Sequence, residues 1–302
     1  MQKVLFKEVA KHKYMYLLVA PVLVYYILFA YLPMYGIVLA FKDFDYSKGI
    51  TGSPWVGLKH FQEVIQYSDF WNAFNNTLII SLGRLIFEFP APIILALLLN
   101  EVTRYRLKKF FQTVFTFPHF LSWVILGGII TNFLGDSGVF NQLLVSIGLE
   151  KRNLLVEPSS FRYLLFLTDT WREIGWGAIL YLAAIAGINP ELYEAAHVDG
   201  ANRFQQLKAV TWPSIRYTAS ILFILAVGNA MNGGFDQIFN LYNSVVYDVA
   251  DILDTYVYRY TFITGDSFSI STAVGLIKSI INFALLIGAN YLVRYLGEEG
   301  VT

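Results

Sequence analysis

The sequence contains no cysteine and few charged side chains, and both absences restrict its function. Without cysteine the chain can form neither disulfides nor thiolate metal sites. Charged residues make up 15% of the chain, whereas they make up about a quarter of an ordinary soluble domain. Lysine and arginine together number 22, as do aspartate and glutamate, so the net charge indicates no polyanionic partner such as nucleic acid.

Catalytic and nucleotide-binding patterns are also missing. No segment fits the G-x-x-x-x-G-K-[ST] loop that cradles phosphates, so we expect the chain not to hydrolyse ATP itself. The four histidines, His12, His60, His119 and His197, are too far apart in sequence to share a metal-ligand spacing, and we expect no metal site. Because no nucleophile motif or catalytic triad is visible, the sequence does not favour an enzyme.

Long apolar runs dominate what is present. Hydrophobic residues make up 56% of the chain, and its mean hydropathy is +0.52. Because a helix needs about 20 mostly apolar residues to cross a bilayer, the sequence predicts an all-α integral membrane protein with one six-span domain over residues 14–295. The predicted spans are residues 14–41, 70–100, 110–135, 161–187, 213–235 and 267–293.

The two ends of the chain and the charge pattern predict an orientation. Residues 1–13 form a basic lead, and residues 296–302 form a short tail. If both termini face the cytoplasm, twelve lysines and arginines lie inside and seven lie outside, which is the bias that sets orientation in membrane proteins. This orientation places the polar segment at residues 188–213 on the cytoplasmic side.

That polar segment, which we call the elbow, lies between the fourth and fifth predicted spans. Asn189 can cap a first helix. Gly200 can end this helix because glycine accepts left-handed backbone at little steric cost. Either Asp199 or Asn202 can then cap a second short helix. The sequence therefore predicts a helix–turn–helix between two membrane spans.

The elbow also carries a spaced motif: Glu194-Ala195-Ala196, three residues, Gly200, and then Pro213. This motif resembles the EAA loop of permease subunits of binding-protein-dependent ABC importers. Val210 and Trp212 stand where that family usually has isoleucine and leucine. The resemblance implies the type I importer fold with a cytoplasmic coupling helix, which docks on a separate ATPase. The residues that it implies in coupling are Glu194, Ala195, Ala196, Asp199, Gly200, Arg203, Phe204 and Pro213.

Two further segments, residues 41–61 and 231–259, bear on the substrate. Both resemble polysaccharide-type permeases, the LplB-like group. The resemblance implies import of oligosaccharides, including uronate- and rhamnose-containing glycans, across a bacterial cell membrane. It also implies a heterodimer with a second related permease, two copies of a sugar-type ATPase and an extracellular or periplasmic solute-binding protein. ATP and Mg would bind the ATPase, and this chain would need no cofactor.

Polar side chains inside the predicted spans are candidates for the substrate path. Arg84 and Glu88 lie four residues apart on one helical face, and we predict an intramembrane ion pair that is either structural or part of the path. Sugars are bound by aromatic faces and by amide or carboxylate groups. The other path candidates are Trp123, Trp171, Arg172, Glu173, Trp176, Asn229, Asn232, Asp236 and Gln237.

Structural roles remain open for these candidates. Membrane tryptophans also form interfacial belts, and asparagines in spans also bond neighbouring helices. Arg172 and Glu173 can instead pair with Arg84 and Glu88 across helices.

Two other classes of membrane protein compete with the importer interpretation. A secondary transporter usually has paired broken helices in its two halves, whereas this sequence has one clear glycine-broken segment, near Gly233 and Gly234. A structural or sensory subunit with a signalling role should carry a soluble domain, which the sequence does not predict.

Overall fold

A computed structural model describes residues 11–265, 267–298 and 300, and in these ranges the protein is helical without strands. The described residues divide into two compact units. The first comprises residues 11–66 and 264–276, and the second comprises residues 67–263 and the chain from residue 277 onward. Most of the predicted basic lead and part of the predicted tail lie outside the described residues.

The first unit is built on a single long helix, α1, at Lys13–Phe41. It is α-helical over Lys13–Tyr26, π-helical over Ile27–Tyr31 and 3-10 helical over Leu32–Phe41. A helical turn at Gly49–Gly52 and the short helix α2 at Lys59–Val64 follow. The Lys42 carbonyl accepts a hydrogen bond of 2.6 Å from the Ser269 hydroxyl, which joins the two segments of this unit.

The second unit contains the other helices. They are α3 (Ser68–Phe87), α4 (Pro90–Glu101), α5 (Tyr105–Thr116), α6 (Trp123–Leu134), α7 (Val139–Ser146), α8 (Pro158–Ala186), α9 (Pro190–Val198), α10 (Arg203–Gly228), α11 (Phe235–Leu241), α12 (Tyr247–Ala250) and α13 (Leu253–Tyr258). A 3-10 turn at Phe117–Phe120 follows α5, and a π-helical turn at Arg259–Ile263 follows α13. The last helix, α14 at Phe268–Tyr295, begins in the first unit and ends in the second.

Helix α8 is the centre of the second unit. Its N-terminal half contributes Leu165 to an apolar cluster that also contains Ile80 of α3 and Leu126 of α6. Its C-terminal half contributes Ala178 to a second cluster, which includes Ile215 of α10. These side chains are almost completely buried, so the unit is held together by apolar packing along both halves of α8.

The expected helices of membrane-spanning length are present, although the count of six spans is approximate. Within the described residues, five helical segments are long and apolar enough to cross a membrane: Lys13–Phe41, Ser68–Glu101, Trp123–Ser146, Arg203–Gly228 and Phe268–Tyr295. Helix α8 has the length of a span, but the charged side chains of Asp169, Arg172 and Glu173 lower its hydropathy. It corresponds to the predicted span at residues 161–187.

The structure differs from the sequence prediction at two spans. The third predicted span, residues 110–135, is broken between α5 and α6, because Pro118 lacks a backbone donor and Ser122 caps a new helix. The fifth predicted span, residues 213–235, starts earlier and ends earlier, since α10 runs over Arg203–Gly228 and includes Pro213. Both breaks lie next to the polar residues described below.

Candidate functional site

A cavity of about 350 Å³ lies between α3, α4, α8, α10 and the segment that follows α10. Its walls are partly apolar, with Leu85, Phe89 and Leu222 among them. Six of the residues that the sequence singles out also line it: Arg84, Glu88, Glu173, Trp176, Asn229 and Asn232. Apolar walls with a few convergent polar groups are typical of a small-molecule site.

Arg84 is the hub of the polar network beside this cavity. Its guanidinium lies 3.4 Å from Oε1 of Glu88, the residue that follows α3, and 3.3 Å from Asp169 Oδ2 of α8. It also donates a hydrogen bond to Gln237 Oε1 of α11. Arg84 therefore connects three helices through one mostly buried cation, whose side chain is only 13% exposed.

The break between α10 and α11, residues 229–234, is fixed by side chains of its neighbours. Gly234 has a φ of +77°, and a Cβ at this position would overlap the Arg84 guanidinium. The Ser81 hydroxyl donates to the Ala230 carbonyl, and Met231 N donates to Asn282 Oδ1 at 3.2 Å. Irregular backbone at membrane depth is tolerated where protein groups satisfy it or a cavity borders it, and both conditions hold here.

A second polar cluster holds the broken segment between α5 and α6 against α8. Glu173 pairs with the neighbouring Arg172 and with His119 Nδ1, the latter at 2.8 Å. The His119 ring stacks on Trp176 with centroids 4.4 Å apart and planes 3° apart. Arg172 also donates to the His119 carbonyl at 3.3 Å. His119 therefore contacts both Glu173 and Trp176 and stabilises the part of the cavity wall that they form.

Arg172 and Glu173 do not form the alternative ion pairs with Arg84 and Glu88 that the sequence also allows. These two residues pair with each other, whereas Arg84 pairs with Glu88 and Asp169. Asp169 and His119 were not among the residues predicted for the site. Asp169 lies in the same charged run of α8 as Arg172. However, Asp169 and His119 make their contacts with residues that are distant in sequence, so no motif with a fixed spacing predicts these contacts.

Five predicted path residues do not line the cavity, and three of them are packed into the protein: Trp123, Arg172 and Gln237. Trp123 is buried in the apolar core, with the Arg172 guanidinium 5.3 Å from its ring. Gln237 is fully buried and donates to the Leu165 carbonyl at 2.9 Å. The other two, Trp171 and Asp236, are exposed.

The elbow has the helix–turn–helix form that the sequence predicts. The Asn189 side chain accepts a hydrogen bond from Glu191 N at the start of α9, and Gly200 follows α9 with a φ of +79°. Of the two proposed caps for the next helix, Asn202 is the one used, with Gln205 completing a capping box. The second helix of the elbow is the first turn of α10 rather than a separate element.

The elbow is held together internally and contacts α4 on one side. The Tyr193 hydroxyl of α9 lies 2.9 Å from Thr211 Oγ1 of α10, and Arg203 pairs with Glu101 of α4 at 3.3 Å. Glu194 and Ala195 are exposed, and so is Phe204, at 74%. A rigidly attached helix with an exposed aromatic side chain is suited to contact another protein.

Helices of membrane-spanning length, a cavity with polar side chains at a broken helix, and an exposed elbow together define a membrane transport subunit. The sequence model of one family, the binding-protein-dependent transport system inner membrane component, matches residues 88–297. This chain belongs to that family.

Similar proteins agree with this assignment. Protein LplB of Bacillus subtilis (strain 168) is 44% identical over 292 residues, which cover 96% of this chain and 92% of the relative. The polygalacturonan/rhamnogalacturonan transport system permease protein YteP of the same strain is 44% identical over 301 residues, covering 99% and 94%. The expected resemblance to permeases of binding-protein-dependent importers is therefore confirmed.

A solved structure shows the same fold. It is a bacterial alginate ABC transporter in complex with an alginate pentasaccharide-bound periplasmic protein. The matched chain is 36% identical, with a TM-score of 0.90 and coverage of 98% of this chain and 99% of that chain. The predicted type I importer permease fold is confirmed by this match.

Proposed function

We propose that this chain is a permease subunit of an ATP-driven importer for oligosaccharides, including uronate- or rhamnose-containing glycan fragments. The observation that carries this proposal is that six of the polar and aromatic residues predicted from the sequence line one cavity beside a broken helix. The name of the relative YteP, a polygalacturonan/rhamnogalacturonan permease, and that of the alginate transporter support a glycan as the substrate class. The Trp176 ring would stack on a sugar face, and Glu173, Asn229 and Asn232 would bond its hydroxyl groups.

The proposed partners follow from the family and from the elbow. A solute-binding protein would deliver the sugar, and a second related permease would complete the cavity. Two copies of a sugar-type ATPase would bind ATP and Mg and dock on the elbow through its exposed residues, including Glu194 and Phe204. Both termini would lie in the cytoplasm of a bacterial cell, and the chain itself would catalyse no covalent step.

The elbow would transmit movement as a rigid body. Asn202 and Gln205 cap α10, and the Tyr193–Thr211 contact ties α9 to the same helix. Displacement of the elbow by closure of the ATPases would therefore displace α10 and the 229–234 break at its other end. This would shift the cavity between inward- and outward-open packings, each favoured by a different nucleotide state.

The proposal is tested by reconstitution. The chain is purified with the subunits that co-purify with it, placed in proteoliposomes, and supplied with its binding protein and oligogalacturonides. We expect ATP hydrolysis that rises with the sugar and uptake that requires ATP. Uptake driven by an ion gradient without an ATPase would contradict the proposal and favour a secondary transporter.

Glu194→Lys is expected to uncouple the elbow from the ATPase. Glu194 is exposed on α9, so charge reversal should leave folding and insertion unchanged while it opposes docking. We expect sugar-stimulated ATP hydrolysis to fall at least about tenfold, which corresponds to roughly 1.4 kcal/mol of lost coupling. Glu150→Lys, also exposed but outside the elbow, is the control. Normal stimulation in Glu194→Lys would count against the coupling role.

Trp176→Ala is expected to reduce sugar transport by removing a cavity wall. Trp171 is a matched control, because both tryptophans lie on α8 and both are 46% exposed, but only Trp176 lines the cavity. An aromatic contact is worth about 0.5–1.5 kcal/mol beyond its buried area, so we expect a several-fold rise in the sugar concentration for half-maximal uptake. Equal effects of the two alanine variants would show that the cavity is not the path.

A further inference from the structure

A second cavity, of about 340 Å³, shares no lining residue with the first and is bordered by the elbow. It is formed by the C-terminal ends of α4 and α8, the first turns of α5, and α9. Four polar residues line it, Asn100, Lys108, Gln112 and Tyr193, together with the apolar Leu182, Ile185 and Ala186. Its volume is within the range of small-molecule sites.

Three of these polar side chains lack a protein partner. In the part of the chain that the structure describes, the Lys108 ammonium and the Asn100 and Gln112 amides form no hydrogen bond or ion pair. All three are half-buried, so their donors are partly withdrawn from water. Tyr193 differs, because its hydroxyl is already engaged with Thr211.

The chemistry of the cavity favours an anion. No carboxylate lines it, and Glu101, next to Asn100 in the chain, is paired with Arg203. One ammonium and two amides supply up to seven N–H donors. A phosphate group, with several strong acceptor oxygens, can use such a set of donors at once.

Helix α5 indicates the source of the phosphate. Its first turns carry Arg106 and Lys109 beside Lys108, and all of its basic residues precede Phe110. The side chains of Phe110 and Val114 are exposed, and in a membrane protein they would contact lipid chains. Basic pockets between membrane helices that continue into an apolar surface are typical sites for anionic lipid headgroups.

We propose that this cavity binds the headgroup phosphate of an anionic phospholipid. Lys108 contacts the phosphate, Asn100 and Gln112 donate to its oxygens or to the headgroup hydroxyls, and the acyl chains lie along the exposed apolar face of α5. The proposal requires only that the chain is embedded in a bilayer, so it stands or fails separately from the importer function. Bound lipid would brace α5 against α9, next to the elbow.

Lipid binding to the full chain, purified with its co-purifying subunits, is measured by native mass spectrometry with added phosphatidylglycerol or phosphatidylcholine. We expect tight binding of phosphatidylglycerol and weaker binding of phosphatidylcholine. Lys108→Gln should weaken phosphatidylglycerol binding by about tenfold or more, because it removes a charge-assisted hydrogen bond. Gln112→Met, which changes no charge, should weaken it several-fold. The Tm of each variant is measured to verify folding.

Two control variants separate a built site from general attraction to the surface. Lys109→Gln removes an exposed neighbouring charge, and Gln142→Met removes an exposed amide elsewhere. We expect at most about a fivefold loss from the former and none from the latter. Equal losses in Lys108→Gln and Lys109→Gln, with no loss in Gln112→Met, would overturn the proposal. Displacement of phosphatidylglycerol by millimolar inorganic phosphate would also overturn it, because the site would then select free phosphate.

Discussion

Replacement of Arg84 by methionine is expected to destabilise the second unit and abolish transport. Arg84 is the cation that faces both Glu88 and Asp169, and its guanidinium packs over Gly234. Methionine keeps much of the side-chain volume but leaves both carboxylates without their partner. Removing one member of a buried ion pair costs about 3–5 kcal/mol, and the 229–234 break would lose its support as well. The midpoint of thermal unfolding in detergent and sugar uptake in proteoliposomes measure the two effects.

A matched control is the exposed pair between Arg152 and Glu157. Their charged atoms are 2.6 Å apart, but the Arg152 side chain is 59% exposed, and exposed pairs contribute about 0–1 kcal/mol. Arg152→Met should therefore leave stability and uptake almost unchanged. If Arg84→Met were as stable and active as Arg152→Met, Arg84 would be neither the anchor of the break nor part of the cavity. Arg84→Lys should restore stability only in part, because one ammonium cannot replace the planar fork that reaches three helices.

The parts of the fold that follow local rules could be predicted from the sequence. Four predicted spans, at residues 14–41, 70–100, 161–187 and 267–293, fall within a few residues of α1, of α3 with α4, of α8 and of α14. The elbow was also predictable, because capping depends on neighbouring residues and on the left-handed tolerance of glycine. Asn189, Asn202 and Gly200 act as that chemistry requires.

The two helix breaks were harder to place. The break at residues 117–122 is difficult to predict because the side chains around Pro118 are mostly apolar, and such a sequence predicts a continuous span. Proline is tolerated near a helix start, and in a membrane span neighbouring groups can satisfy the backbone that it frees, so Pro118 by itself does not predict a break. The sequence predicts the end of the fifth span at residue 235, whereas α10 ends at Gly228, because the glycines and asparagines that follow Gly228 are as uncharged as a span.

The residues that line the cavity could be predicted only in part, because their identity depends on helix rotation and packing rather than on local sequence. Composition indicates which side chains are unusual in a membrane helix, but not which way the helix is rotated. Trp176 and Trp171 are five residues apart on α8, and only Trp176 faces the cavity. Gln237 can be buried because its amide donates a hydrogen bond to the Leu165 carbonyl and accepts one from the Arg84 guanidinium. Such contacts depend on helix packing, which one sequence does not specify.

Gly175→Ala is expected to disrupt the packing of α8 against the end of α5. A Cβ at Gly175 would overlap backbone atoms of Phe115 and Thr116, which cannot rotate away as a side chain can. Overpacking a well-packed site costs about 1–3 kcal/mol, and backbone overlap places this substitution at the upper end. The shift would also displace His119 from Trp176 and Glu173. We therefore expect a lower Tm in detergent and loss of sugar uptake.

Gly128→Ala in α6 is the control for Gly175→Ala. It makes the same chemical change at a site without steric overlap. A Cβ at Gly128 would have no neighbour within 4 Å, so only the higher helix propensity of alanine remains, which stabilises by up to about 1 kcal/mol. The two variants should therefore shift Tm in opposite directions although the chemical change is the same. Similar Tm shifts for both would mean that α5 and α8 are not in close backbone contact. The hypothesis that the broken third span supports the cavity wall would then be wrong.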